Sequence, residues 1–145
     1  MIAIAFSAGC IAGAILLFLS HVAPMFGAGN FLRDMDEPRL FGKFITRREA
    51  HVVGAFAHLL ISGLAGAAYG ALIRMNVIPD FGFLPILGWS VVLSIAMGGI
   101  ILPLEGHGLF GVKEDAWFPV DLFLTNILWG ILFWGMMRLW PGTAY

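Results

Sequence analysis

Four uncharged stretches divide the chain, and no other feature limits its fold as strongly. The first charged side chain is Arg33, so the opening 32 residues carry no formal charge and include an apolar run over residues 1–20. Between Glu49 and Arg74 lie 24 uncharged residues, and between Asp80 and Glu105 another 24. A hydrocarbon core about 30 Å thick takes about 20 residues of helix, so each of these runs is long enough to cross. The fourth run, residues 122–137, has only 16, roughly 24 Å of helix. Either Asp121 or Arg138 therefore falls inside the lipid boundary. Trp117 and Trp140 are 23 positions apart, which suits aromatic anchors at opposite interfaces and sets Asp121 one turn inward of the nearer one.

Composition agrees with these runs and excludes the alternatives. The chain of 145 residues is 60% hydrophobic and 12% charged, against about 25% charged in a soluble domain. Disorder is excluded by the apolar content, a disulfide scaffold by the single cysteine, and nucleic-acid binding by a net charge of -1. The runs are continuous instead of alternating with period two, so helices are preferred over a barrel. The expected fold is an all-α four-transmembrane-helix bundle forming one polytopic domain, 1–145, with spans near 2–22, 50–73, 82–104 and 118–140. Ser7-Ala8-Gly9-Cys10 resembles a lipoprotein cleavage box only in its last residues, so the first span reads as a retained helix.

Orientation follows from the basic residues. The first and third connections hold Arg33, Arg39, Lys43, Arg47, Arg48 and Lys113, and the other face only Arg74 and Arg138. This places the six on the cytoplasmic side of the cell's inner membrane and both termini on the non-cytoplasmic side. Residues 39–48 set Leu40, Phe41, Phe44 and Ile45 toward one side, which predicts a short interfacial helix on anionic lipid, with an irregular loop as the alternative. Pro24-Met25-Phe26-Gly27 after the first span resembles Gly108-Leu109-Phe110-Gly111 after the third, so the two hairpins read as a parallel pseudo-repeat. Gly9, Gly13, Ser62, Gly66, Gly70, Gly98 or Gly99, and Gly130 mark places where helices can approach closely.

Chemistry, if present, lies with the ionisable residues at one membrane half. His21, His51, His58 and His107 all map there, together with Glu49, Glu105 and Asp121. On the second span His51, His58, Ser62 and Tyr69 fall within about 20° of one direction, forming a polar stripe. His58 reaches deepest and is the candidate cofactor ligand, for haem or a chlorophyll-type pigment, with Gly54 four residues earlier leaving room beside the helix. The competing reading is a neutral histidine hydrogen-bonded across a helix seam. His51, Glu105, His107 and Asp121 are the candidate ligands of a metal ion, while Asp121 also suits the start of a helix, where a carboxylate meets free backbone amides. The lone Cys10 reads as structural.

Three functions fit this pattern. One is an accessory subunit of a larger membrane complex, held among partner subunits, lipids or copies of itself and holding lipid or a pigment. Another is a small redox protein using a metal, haem or quinone. The third is a proton-coupled channel or carrier along the stripe.

Overall fold

The computed structural model describes residues 1–22, 39–40, 43–44, 46–113 and 115–140, with the side chains of 21, 39–40, 43–44, 47–51 and 105 outside that description. Helix α1 (Ile2–Val22) is a run of apolar and small residues up to Ser20, with no formal charge to interrupt it. Helix α2 (Arg47–Arg74) starts three residues earlier than its apolar run implies. Thr46-Arg47-Arg48-Glu49 has the Thr-x-x-Glu pattern that opens helices. After a turn at 75–82, where Asn76 has φ 58°, helix α3 (Phe83–Ala96) continues through a widened π segment, Met97–Ile101, into the short helix α4 (Leu102–Glu105). A 3-10 turn, Leu109–Gly111, precedes helix α5 (Phe118–Leu139). Among the described residues, four stretches are long and apolar enough to cross a membrane: Ile2–Ser20, Val52–Arg74, Phe83–Leu104 and Phe118–Leu139. They match the predicted spans to within two residues at every end.

One expectation is corrected. In place of an interfacial helix over 39–48, Arg39–Leu40 (β1) pairs antiparallel with Lys43–Phe44 (β2), in register Arg39 with Phe44 and Leu40 with Lys43, and Arg47 and Arg48 belong to α2. A helix of one or two turns carries the full nucleation cost with few bonds to offset it, and Gly42 raises that cost by about 1 kcal/mol. Of the two repeat motifs, Pro24-Met25-Phe26-Gly27 lies outside the described residues, while the second forms the 3-10 turn.

The helices pack as α2 on α1, α1 on α5, and α5 on α3. Small residues of α1 make this order. Gly9 and Gly13 meet α2, where a Cβ on Gly9 would overlap the carbonyl of Ser62 and one on Gly13 would stand 2.5 Å from Ser62 Oγ. Ala5, Ala8, Ala12 and Leu16 enter the core with Trp129, Phe133 and Met137 of α5, and Ala5 also meets α2, its Cβ 3.0 Å from where one on Gly70 would sit. The seam between α3 and α5 is built the same way: Ile86, Ser90, Ser94 and Gly98 recur every four residues and are buried, and Gly130 leaves no room for a methyl beside Ser90 Oγ. Small residues on one surface admit the backbone of the next, and dispersion contacts then hold the helices together.

The π segment has a local cause. Pro103 has no N–H for the carbonyl four residues back, and its ring crowds that carbonyl. The chain widens instead: the N–H of Leu102 bonds the carbonyl of Met97, an i to i−5 bond.

Candidate functional site

The deepest candidate, His58, stands on α2 six residues inside the second span, about 9 Å from its start. It faces the α1–α2 seam. A Cβ on Gly13 would lie 3.7 Å from His58 Cδ2, and the backbone of Gly13 is the polar group that the imidazole meets. Glycine at 13 is what lets the ring and the Ser62 side chain share one level of the seam. His58 Nε2 is buried and has no hydrogen-bond partner. An unsatisfied buried nitrogen is unusual in folded proteins. It fits one requirement of a ligand to haem or a pigment, a free ring nitrogen. The other requirement, open space, is met beside Gly54, where an added Cβ would have no atom within 4 Å, but Nε2 itself is enclosed by protein.

The polar stripe divides into two environments. His58 and Ser62 look toward α1, whereas the fully buried Tyr69 enters an aromatic group with Phe81, Trp89 and Phe133, ring centroids 5.6, 6.1 and 5.9 Å away. Its hydroxyl donates to the carbonyl of Asp80 at 2.8 Å, which ties the turn before α3 to the core. Between Ser62 and Tyr69 stands Gly66, closed off by the carbonyl of Ala5 and by Phe133 Cε2, 3.1 Å from where a Cβ would sit. The His51 side chain lies outside the described residues.

The four proposed metal ligands separate into two that are described and two that are not. His107 lies in the turn after α4, its N–H donating to Leu102 O at 2.9 Å. Asp121 sits in the first turn of α5. His51 and Glu105 lie outside the described side chains. Among the described residues no three of His, Cys, Asp and Glu gather closely enough to hold a metal ion. The carboxylate that closes the entry to α5 is another one: Asp115 Oδ1 accepts the N–H of Trp117 at 2.8 Å. Asp at that place, two residues before a Trp-Phe-Pro start, is a turn-forming signal that sequence reading passed over in favour of Asp121.

Other polar groups within the spans bond back to the helices. Ser90 Oγ donates to Ile86 O at 3.1 Å, Ser94 Oγ to Ser90 O at 3.0 Å, and Asn126 Nδ2 to Leu122 O at 2.9 Å. Trp89 Nε1 crosses from α3 to Ala65 O on α2 at 3.2 Å. Cys10 Sγ donates to Leu59 O at 3.5 Å, and the sulfur also occupies the space beside Gly63. Trp129 Nε1, stacked on Phe133 at 4.9 Å, is the second buried polar atom without a partner. Ser90 and Ser94 were legible only as small residues at fourfold spacing with Gly98.

Compared with family models, curated proteins and solved structures, the chain matches none.

Proposed function

We propose that the chain is a small accessory subunit of a larger membrane complex, seated in the inner membrane with both termini on the non-cytoplasmic side and surrounded by partner helices and lipid. The observation that carries this reading is a set of glycines on the outside of the bundle. A Cβ added at Gly88, Gly99 or Gly135 would meet nothing within 4 Å. A glycine within a helix loses about 1 kcal/mol relative to alanine. The glycines at the seams offset that loss through close packing inside the bundle, and these three do not. On α3 the outward face around Gly88 carries exposed Leu84, Val92 and Ile95, and on α5 that near Gly135 carries Leu128 and Ile131. Such faces take the backbone of another helix at short distance. The two hairpins, α1 with α2 and α3 with α5, are read as a pseudo-repeat about an axis along the membrane normal.

Purification from native membranes in mild detergent tests this. Stoichiometric partner chains are expected with the wild type, and Gly88→Leu with Gly135→Leu is expected to lose them without lowering the melting temperature. A wild-type chain that purifies alone as a monomer overturns the reading.

A second reading, a small redox protein binding haem, a chlorophyll-type pigment, quinone or a metal ion, draws on the unpartnered Nε2 of His58. In it His58 holds the cofactor, and His51, Glu105, His107 and Asp121 serve a metal at the cytoplasmic end. It requires an absorption band or bound metal that disappears in His58→Ala or His107→Ala. A colourless, metal-free protein with intact helices removes it.

A further inference from the structure

The connection between α4 and α5 is bent in a way that its sequence would not adopt unaided. Gly106, Gly108 and Gly111 have φ of 93°, 78° and 75°, and between them Phe110 has φ 52°. Glycine enters that region freely, but a bulky side chain there is an outlier that costs on the order of 1–3 kcal/mol. Something must hold Phe110 in place. Its ring lies against Gly98 in the π segment, so closely that a Cβ on Gly98 would overlap it, and it stacks on Phe123 of α5 with centroids 6.0 Å apart and planes 20° apart. The surrounding bonds close the turn around it. Gly111 N donates to Gly108 O at 3.1 Å and Lys113 N to His107 O at 3.2 Å, while the Phe118 ring covers Gly111.

We propose that residues 106–113 form an aromatic latch whose bolt, the Phe110 ring seated between Gly98 and Phe123, holds the end of α3 against α5 and fixes the position of His107. The parts have separate roles. Pro103 forces the widened turn, Gly98 gives that turn a flat surface, and Phe110 fills it at the expense of its own backbone. Because Phe110 is strained only while the ring is seated, withdrawal relieves the backbone as it loses the stacking. The latch is therefore poised between two settings, closed by side-chain packing and opened by backbone preference. Gly106 and Gly108 flank His107 and serve as its hinges. With the ring withdrawn, the backbone bonds of His107 to Leu102 and Lys113 break together, and the imidazole leaves its place at the end of the bundle.

Amide exchange read by mass spectrometry, with histidine modification by diethyl pyrocarbonate, tests the latch on the full chain in detergent micelles. In the wild type, residues 106–113 are expected to exchange as one unit, more slowly than free amides and faster than the α1–α2 seam. Phe110→Ala removes the bolt, and Gly98→Ala displaces it without touching the loop. Each is expected to raise exchange over 106–113 by about tenfold or more and to raise modification of His107, leaving residues 5–16 and 58–70 unchanged. Four results overturn the proposal: free-rate exchange of 106–113 already in the wild type, protection there equal to that of the α1–α2 seam, no change in either variant, or an equal rise at that seam.

Discussion

At the scale of single residues, the bundle is decided by where a methyl group is allowed. Gly9 and Gly66 face backbone atoms, the Ser62 and Ala5 carbonyls, which cannot turn aside as a side chain can. Gly9→Ala and Gly66→Ala are expected to destabilise the protein by about 1–3 kcal/mol, measured as a lower melting temperature by circular dichroism in micelles. Gly88→Ala, at an open position, is expected to leave stability unchanged or to raise it by up to about 1 kcal/mol. Tyr69→Phe removes the hydroxyl that donates to Asp80 O. A loss of about 1 kcal/mol is expected, again as a lower melting point, with the helix content preserved. Gly9, Gly13, Ser62, Gly66, Gly70 and Gly130 were legible in the sequence as small side chains within spans, although Gly54, Gly88, Gly99 and Gly135 share that feature and meet no neighbour. The choice of Gly98 over Gly99 was not, since it depends on how the π segment turns, and neither was the meeting of His58 with Gly13, which lie 45 positions apart.

Among the elements, the long helices follow from local chemistry and the connections do not. Uncharged runs locate the membrane-length stretches Val52–Arg74, Phe83–Leu104 and Phe118–Leu139, although α2 begins at Arg47 and α5 at Phe118, before their runs start. Residues 39–40, 43–44 and 106–113 do not follow from apolar periodicity, as the β1–β2 pairing shows. The start of α5 gives a test at this scale. Asp115→Ala deprives the Trp117 N–H of its acceptor and is expected to lower stability by about 1 kcal/mol. Faster amide exchange confined to residues 117–121 would report it, and unchanged exchange there would show that the turn closes by other means.

For the whole molecule, the distribution of basic residues predicts an orientation that labelling tests directly. In a Cys10→Ser background, a cysteine at Asn76 is expected to react with a membrane-impermeant maleimide applied from outside the cell, and one at Val112 only after the membrane is permeabilised. Both positions are exposed, so a reversed pattern means the opposite topology and not a hidden thiol. The gathering of the histidines with Glu49, Glu105 and Asp121 at one membrane half is an expectation from spacing alone. Whether its members meet depends on rotation of each helix about its axis, which α1 sets for α2 and α5 sets for α3.

The packing order also has a consequence for synthesis. Ala5 and Phe133 enter the same core although they are 128 residues apart in the chain. At the ribosome's pace of about 5–20 residues per second, the part of α1 that packs on α5 waits roughly 6 to 25 seconds for it. The seam of α1 with α2, which includes Ala5 against Gly66 and Gly70, closes much sooner. During that interval the nascent hairpin carries a bare, smooth surface of small side chains that any neighbouring helix of similar shape can occupy, so fidelity of assembly rests on how promptly the last helix arrives.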